Sequence, residues 1–325
     1  MNRITRLLVV AMACLVGTQA MAKEMKMLGA FPESLIFTKE MAFPFIKLVN
    51  EESGGKINIS YIGPDAVGAL EQLEPVQSGV FDLLFTHPAY HAGTTAVGLA
   101  IDAIAVDPTK RRESGVIDFI DNHYKSLGLK LISAPATGSK GFRYYLKDPI
   151  SGLPGLKGRK IRGTVSYHPM IEALGGKGVV MGAGGVYSAL QKGVIDGAAF
   201  GLVGAKDFKW YEVSGYMAEP TFGQVGLMIF MNLDRWNNLS DQERAAFERA
   251  GVKLELNSIS RFDALTVQEN KDLQSLGMKI TYFDKSEAEN FESLWSNGVW
   301  SIAEKKSTKP ATMLHDLARK AGLTK

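Results

Sequence analysis

Apolar positions along the chain recur in twos, then in threes and fours, and then in twos again. Met25 to Phe31 reads as a strand ending at Pro32, and Ser34 to Glu52 continues with helical spacing until Gly54-Gly55 stops it. Lys56 to Ile62 alternates, with Ile57, Ile59 and Tyr61 on one face, before Gly63-Pro64 turns the chain. Further strands are expected at Leu83 to Thr86, Leu129 to Ala134, within Gly138 to Leu146, and at Lys160 to Arg162, Gly226 to Met231 and Met278 to Phe283. Helical spacing marks Asp118 to Leu127 and Met313 to Ala321. It also marks a long region behind the Ser240–Glu243 capping box, to about Gly277, and a segment capped by Ser286. Strands alternating with helices predict an α/β fold with mostly parallel sheets.

One pattern occurs twice. Val76-Gln77-Ser78-Gly79-Val80-Phe81-Asp82 matches Leu190-Gln191-Lys192-Gly193-Val194-Ile195-Asp196. Each follows an amphipathic helix (Val67, Leu70, Leu73, Val76; then Val186, Ala189, Leu190). Each has glycine where a left-handed cap would sit and then runs into an apolar strand. Either the chain holds two lobes of like construction, or a common helix-to-strand turn recurs by chance. The second copy belongs to a stretch, Leu156 to Phe200, that also places Arg162 at the end of the Lys160–Arg162 strand. Ser166 is expected to cap a helix with Pro169 in its first turn, so a guanidinium and a helix start face one space. Both favour an anion, and the planar fork suits a carboxylate.

Composition adds an address. Of 325 residues, 46% are apolar and 22% charged, which suits folded lobes rather than a disordered chain. Residues 1–22 read as a secretory leader: Arg3 and Arg6, an apolar run from Leu7 to Gly17, and Ala20-Met21-Ala22 before Lys23. Removing them leaves 35 basic against 34 acidic residues, a balance that argues against nucleic acid or an anionic membrane as partner. The single cysteine, Cys14, lies in the leader. Its surroundings lack the leucine usual before a lipid-modified cysteine, and the mature chain is left without disulfide or thiol chemistry. A soluble protein in the periplasm is expected.

Gly155-Leu156-Lys157-Gly158-Arg159-Lys160-Ile161-Arg162, followed by Val186-Tyr187-Ser188-Ala189-Leu190-Gln191-Lys192-Gly193-Val194-Ile195-Asp196-Gly197, resembles the extracytoplasmic solute receptors of TRAP transporters, the DctP-type solute-binding proteins of family 7. The resemblance covers the whole mature chain. It implies a two-lobed periplasmic binding protein, type II-like, with crossing strands and one long helix spanning both lobes. The expected division is 23–134 with 224–260 for lobe I, and 135–223 with 261–325 for lobe II. It also implies that Arg162 is the carboxylate-binding residue, that Arg143 is a second ligand-binding cation, and that the partners are a carboxylate and the TRAP permease subunits. Two departures stand out. Gly185 replaces a common glutamate, and Ala198-Ala199-Phe200-Gly201 replaces a polar run. They point away from a sialic-acid-like polyol, toward a small monocarboxylate, aromatic or 2-oxo, stacked on Phe200.

Other candidates for the cleft are His87, Tyr90 and His91 beyond the Leu83 to Thr86 strand, Tyr167 and His168 after the arginine loop, and Trp210, Phe222 and Phe31 as aromatic walls. His87 and His91 are spaced like a metal pair, but Pro88 breaks that helix and no third ligand is near in sequence, so no metal is expected. Arg143 has a structural alternative, an ion pair with an acid such as Asp148. Catalysis finds no support: Gly138-Ser139-Lys140-Gly141 is not a nucleophile elbow, and Gly182-Ala183-Gly184-Gly185 lacks the lysine of a phosphate cradle. No cofactor is expected. The alternatives are the binding subunit of an ATP-driven importer and an exported hydrolase or lyase.

Overall fold

The structure, a computed structural model, describes residues 22–324. The expected leader and Cys14 lie almost wholly outside the described residues. Eleven strands are present: β1 Lys23–Gly29, β2 Ile57–Ile62, β3 Leu83–Thr86, β4 Leu129–Ser133, β5 Phe142–Leu146, β6 Lys160–Arg162, β7 Lys177–Val179, β8 Gly197–Gly201, β9 Tyr216–Glu219, β10 Met228–Asn232 and β11 Lys279–Tyr282. They form two sheets, β2-β1-β3-β10-β4 and β11-β9-β5-β8-β6-β7.

Traced from β2 and from β7, the sheets have the same plan. Three parallel strands come first, and then one antiparallel strand from a distant part of the chain, β10 in one sheet and β5 in the other. The mostly parallel expectation therefore holds within each triplet and fails at β10 and β5. Those two strands follow the passages of the chain from one sheet to the other.

The repeated pattern is what builds the triplets. Leu73–Gln77 and Val186–Gln191 are short helices that end at Gly79 (φ 78°) and Gly193 (φ 69°), a left-handed backbone that suits glycine. The aspartate that follows then ties its strand to the neighbouring one. Asp82 accepts from the Lys26 amide at 2.7 Å, and Asp196 accepts from the Lys160 amide at 2.8 Å. Two lobes of like construction is the correct reading. The lead-in to the first helix was read too long, for Leu70 is exposed and the helix starts at Leu73.

The 35-residue helix Asp241–Ser275, opened by the Ser240–Glu243 capping box, touches both lobes. Gly251 lies against the Ile132 carbonyl so closely that a Cβ would sit 2.6 Å from it, and Glu255 accepts from the Ala134 amide. Farther along, Glu269 accepts from the amides of Gly204 and Lys206, and burial raises its pKa. The last helix, Thr308–Lys320, packs on Val116–Lys125 beside the first sheet, although residues 261–325 were expected in the second lobe. The helix expected at Ser286 is capped instead by Asp284, whose carboxylate accepts from the Ser286 amide.

Candidate functional site

Arg162 ends β6, and its side chain is buried at 1% exposure. Its Nε donates to the Met181 carbonyl and one Nη to the Ala199 carbonyl, both at 3.0 Å. The guanidinium lies over the Phe200 ring, 5.8 Å from its centre. These contacts hold the fork in one orientation. The second terminal nitrogen, Nη2, is buried without a hydrogen-bond partner among the described residues. A charged donor in that condition is costly unless an acceptor reaches it.

Arg162 also lines a cavity between the two sheets. The free volume of that cavity is about 20 Å³, room for little more than a water molecule and far below small-molecule sites at about 300–1,000 Å³, so an acid would enter only with the walls parted. The first lobe contributes Phe31, Phe37, His87 and Tyr90 to its wall. The second contributes Phe142, Arg162, Thr164, Tyr167 and Phe200, and Val225 and Leu227 come from the return toward β10. All of these side chains are buried. A wider groove of about 640 Å³ runs between Glu52–Lys56 and Ser240–Arg249, but there Glu52 already pairs with Arg249 and Lys253. Size therefore points one way and unpaired charge the other, and chemistry favours the smaller space.

The remaining polar groups of the wall are largely committed. His87 Nδ1 accepts from the Ala89 amide at 3.2 Å, so in a neutral ring the proton is on Nε2. Nε2 lies 3.0 Å from Oδ2 of Asp102, yet neither atom makes an aligned hydrogen bond, so the contact is electrostatic. Thr164 and Ser166 share a hydroxyl hydrogen bond at 2.8 Å. Ser166 is thus not the expected helix cap, although Pro169 does occupy the first turn of His168–Ala173. Burial pushes the Tyr167 hydroxyl well above its ordinary pKa, against the pull of Arg162, and keeps it protonated.

Six of the residues singled out from the sequence meet at this cavity: Arg162, Phe200, His87, Tyr90, Tyr167 and Phe31. Five do not. Arg143 donates to Glu219 at 2.5 Å and to Asn270 at 2.6 Å, so its acid is Glu219 rather than Asp148, whose carbonyl bonds Arg159. His91 lies in the core of the first lobe, hydrogen-bonded to Tyr124 at 2.6 Å, and burial lowers its pKa to about 3. His168 rests against Gly178 beside a separate surface hollow. Trp210 packs behind Phe200, and Phe222 packs among Tyr144, Trp295 and Phe291. The sequence reading missed Phe37, Phe142, Thr164, Val225 and Leu227. Among the described residues, no cluster of three His, Cys, Asp or Glu could hold a metal ion, and no helix is long and apolar enough to cross a membrane.

Comparison with known proteins agrees with the two-lobed fold. Over 257 residues the chain is 24% identical to the monocarboxylate 2-oxoacid-binding periplasmic protein of Nostoc sp., covering 74% of this chain and 68% of that one. The fold matches a TRAP periplasmic solute-binding protein from Desulfovibrio salexigens with bound orotic acid (TM-score 0.81, 18% identity, 92% of this chain and 98% of that one). It also matches a Bordetella pertussis extracytoplasmic solute receptor binding pyroglutamic acid (TM-score 0.78, 18% identity, 92% of this chain and all of that one). The model of the bacterial extracellular solute-binding proteins, family 7, matches residues 28–306. The chain belongs to that family, the DctP-type solute receptors of TRAP transporters.

Proposed function

We propose that this protein is a periplasmic receptor that captures a small monocarboxylate, 2-oxo or aromatic, between its lobes and delivers it to a TRAP permease. The observation that carries the reading is the buried, unpartnered Nη2 of Arg162, on a fixed guanidinium that lines a mostly aromatic cavity between the lobes. A carboxylate meeting it would form a charge-assisted hydrogen bond in a dry site, where such bonds are strong. With Arg162 the one cation among the described residues of the wall, beside Phe31, Phe37, Phe142 and Phe200, a second carboxylate or a row of hydroxyls would be left without partners. The Nostoc relative, named for monocarboxylate 2-oxoacids, and the cyclic acids bound by the two structural matches support the same ligand class.

Binding would favour the closed arrangement of the lobes through a hinge motion. A micromolar dissociation constant, on the order of −8 kcal/mol, suits that task. Calorimetry with benzoylformate, aliphatic 2-oxo acids, hydroxy acids, C4-dicarboxylates and sugar acids tests the class. Binding confined to dicarboxylates or sugar acids would overturn it. Phe200→Leu is expected to weaken benzoylformate more than an aliphatic 2-oxo acid; equal losses would remove the stacking role. Recovery of the acid unchanged after denaturation is expected of a receptor, and a converted product would favour a hydrolase or lyase. The leader pattern supports export, and the mass of the protein purified from the periplasm should correspond to a chain starting at Lys23.

A further inference from the structure

The Phe37 wall of the cavity is held in place from the other lobe. Helical backbone begins at Ile36, passes through a π-turn over Thr38–Ala42 and continues as Phe43–Glu52. Near its start, the amides of Leu35, Thr38 and Lys39 bond to the carbonyls of Pro32 and Leu35. The Ile36 amide is given instead to Oδ2 of Asp207, 171 residues away, at 2.8 Å. A carboxylate accepting there acts as an N-cap and complements the helix dipole.

The loop that presents Asp207 is rigidly built. Glu269 takes the amides of Gly204 and Lys206, Phe208 donates to the Gly204 carbonyl, and Trp210 donates to the Ala205 carbonyl. Lys209 adopts φ 56°, an uncommon backbone for a side-chain-bearing residue. Next to the cap, Phe37 contacts the second lobe directly: its ring centre is 5.7 Å from that of Phe200, and a Cβ on Gly201 would lie 3.0 Å from its Cζ.

We infer that Asp207 is a positioning residue for the acid site: it caps, from the second lobe, the first-lobe helix whose first turn places Phe37 over the cavity between them. The bond spans the two lobes, so it acts on release of the acid and on closure without touching the acid. The inference rests on the receptor reading for its kinetic test and is independent of it for its structural one.

The test uses the full mature chain with Asp207→Ala and Asp207→Asn, and benzoylformate as probe. Loss of the cap should speed dissociation roughly 2- to 30-fold, the range a lost helix cap implies, with association within about twofold of the parent. Asp207→Asn, whose amide oxygen can take the same N–H, should restore most of the parent rate. An unchanged off-rate for Asp207→Ala, or an asparagine variant as fast as the alanine one, overturns the inference. Hydrogen exchange at the Ile36 amide supplies a reading without ligand. Faster exchange in Asp207→Ala than in the parent supports the cap even if benzoylformate fails to bind, which would count against the ligand class alone. Equal exchange overturns the cap whatever acid binds.

Discussion

Arg143 and Arg162 stand on strands that flank β8 in one sheet, and both are almost completely buried, at 2% and 1% exposure. Burial does not tell them apart. Their partners do. Arg143 faces Glu219, Asn270 and the Met217 sulfur, so its charge is answered by a carboxylate inside the protein, although its Nε too is buried without a partner among the described residues. Arg162 has two backbone carbonyls, no carboxylate, and one terminal nitrogen left over at the cavity. Arg111, a third buried arginine, is also held by carbonyls alone, those of Ile101, Ile104 and Ala105, but it faces no cavity of this kind. On the proposed reading, a buried guanidinium serves ligand binding where a terminal donor is left without a protein acceptor beside a space that an acid can open.

The largest effect that follows is on Arg162. Removing one side of a buried, hydrogen-bonded charge pair costs about 2–5 kcal/mol, or roughly 30- to several-thousand-fold in affinity. Arg162→Ala should therefore abolish measurable binding of the acid in calorimetry. Arg162→Lys should recover little, because an ammonium cannot keep the carbonyl bonds and also reach the acid in the same geometry. A near-native dissociation constant for the lysine variant would erase the contrast between the two arginines.

Arg143→Met probes the other side. Glu219 would lose its cation but keeps 29% side-chain exposure, so water softens the loss to about 1–3 kcal/mol of stability. Urea denaturation should show that loss, while acid affinity of the folded variant stays within a few-fold of the parent. Acid binding lost as completely as in Arg162→Ala would place both arginines in the site.

Why one arginine was legible in the sequence and the other was not is a matter of range. Arg162 is marked locally: it ends a three-residue alternating strand, precedes Gly163, and is followed by the repeated helix–glycine–strand unit. The partner of Arg143 is 76 residues away on β9, a strand whose Tyr216–Glu219 pattern is too short to announce itself. The same limit hid Phe37 and Phe142. Each sits in an apolar run that reads as core, and each is also core, packed on Phe262 and Trp295 as well as facing the cavity. Only the tertiary arrangement turns such a ring into a wall. The two-lobed plan was legible because Gly79 and Gly193, with Asp82 and Asp196, are local devices repeated in sequence.

His87 and His91 repeat the contrast on a smaller scale, one at the cavity and the other in the core. Burial holds His91 near pKa 3 against an ordinary 6.5, so between those values the unfolded chain binds the proton and the folded one does not. Stability is thus unaffected by this group above about pH 6.5. Below it, His91 withdraws about 1.4 kcal/mol per pH unit, down toward pH 3. His91→Gln keeps a hydrogen-bonding group near Tyr124 and removes the titration. Denaturation at pH 7, 6 and 5 should show a shallower decline for the variant. A parallel decline would mean that His91 is already protonated in the fold.

The smallest effect expected is at Gly201, which meets Phe37 across the lobes beside the ligand space. A methyl group there would lie 3.0 Å from Phe37 Cζ and 3.5 Å from the Val203 carbonyl oxygen. The backbone of Gly201 needs no glycine, so the cost of Gly201→Ala is steric only. A ring that moves by a few tenths of an ångström can relieve it, at the expense of the cavity or of closure. Affinity for the acid should fall by a few-fold, under about 1 kcal/mol, with thermal stability of the ligand-free protein nearly unchanged. Combined with Asp207→Ala, the loss should be less than the sum of the two, since both act through the placement of Phe37. Strict additivity would separate the cap from the wall and leave Arg162 as the only residue whose placement governs the site.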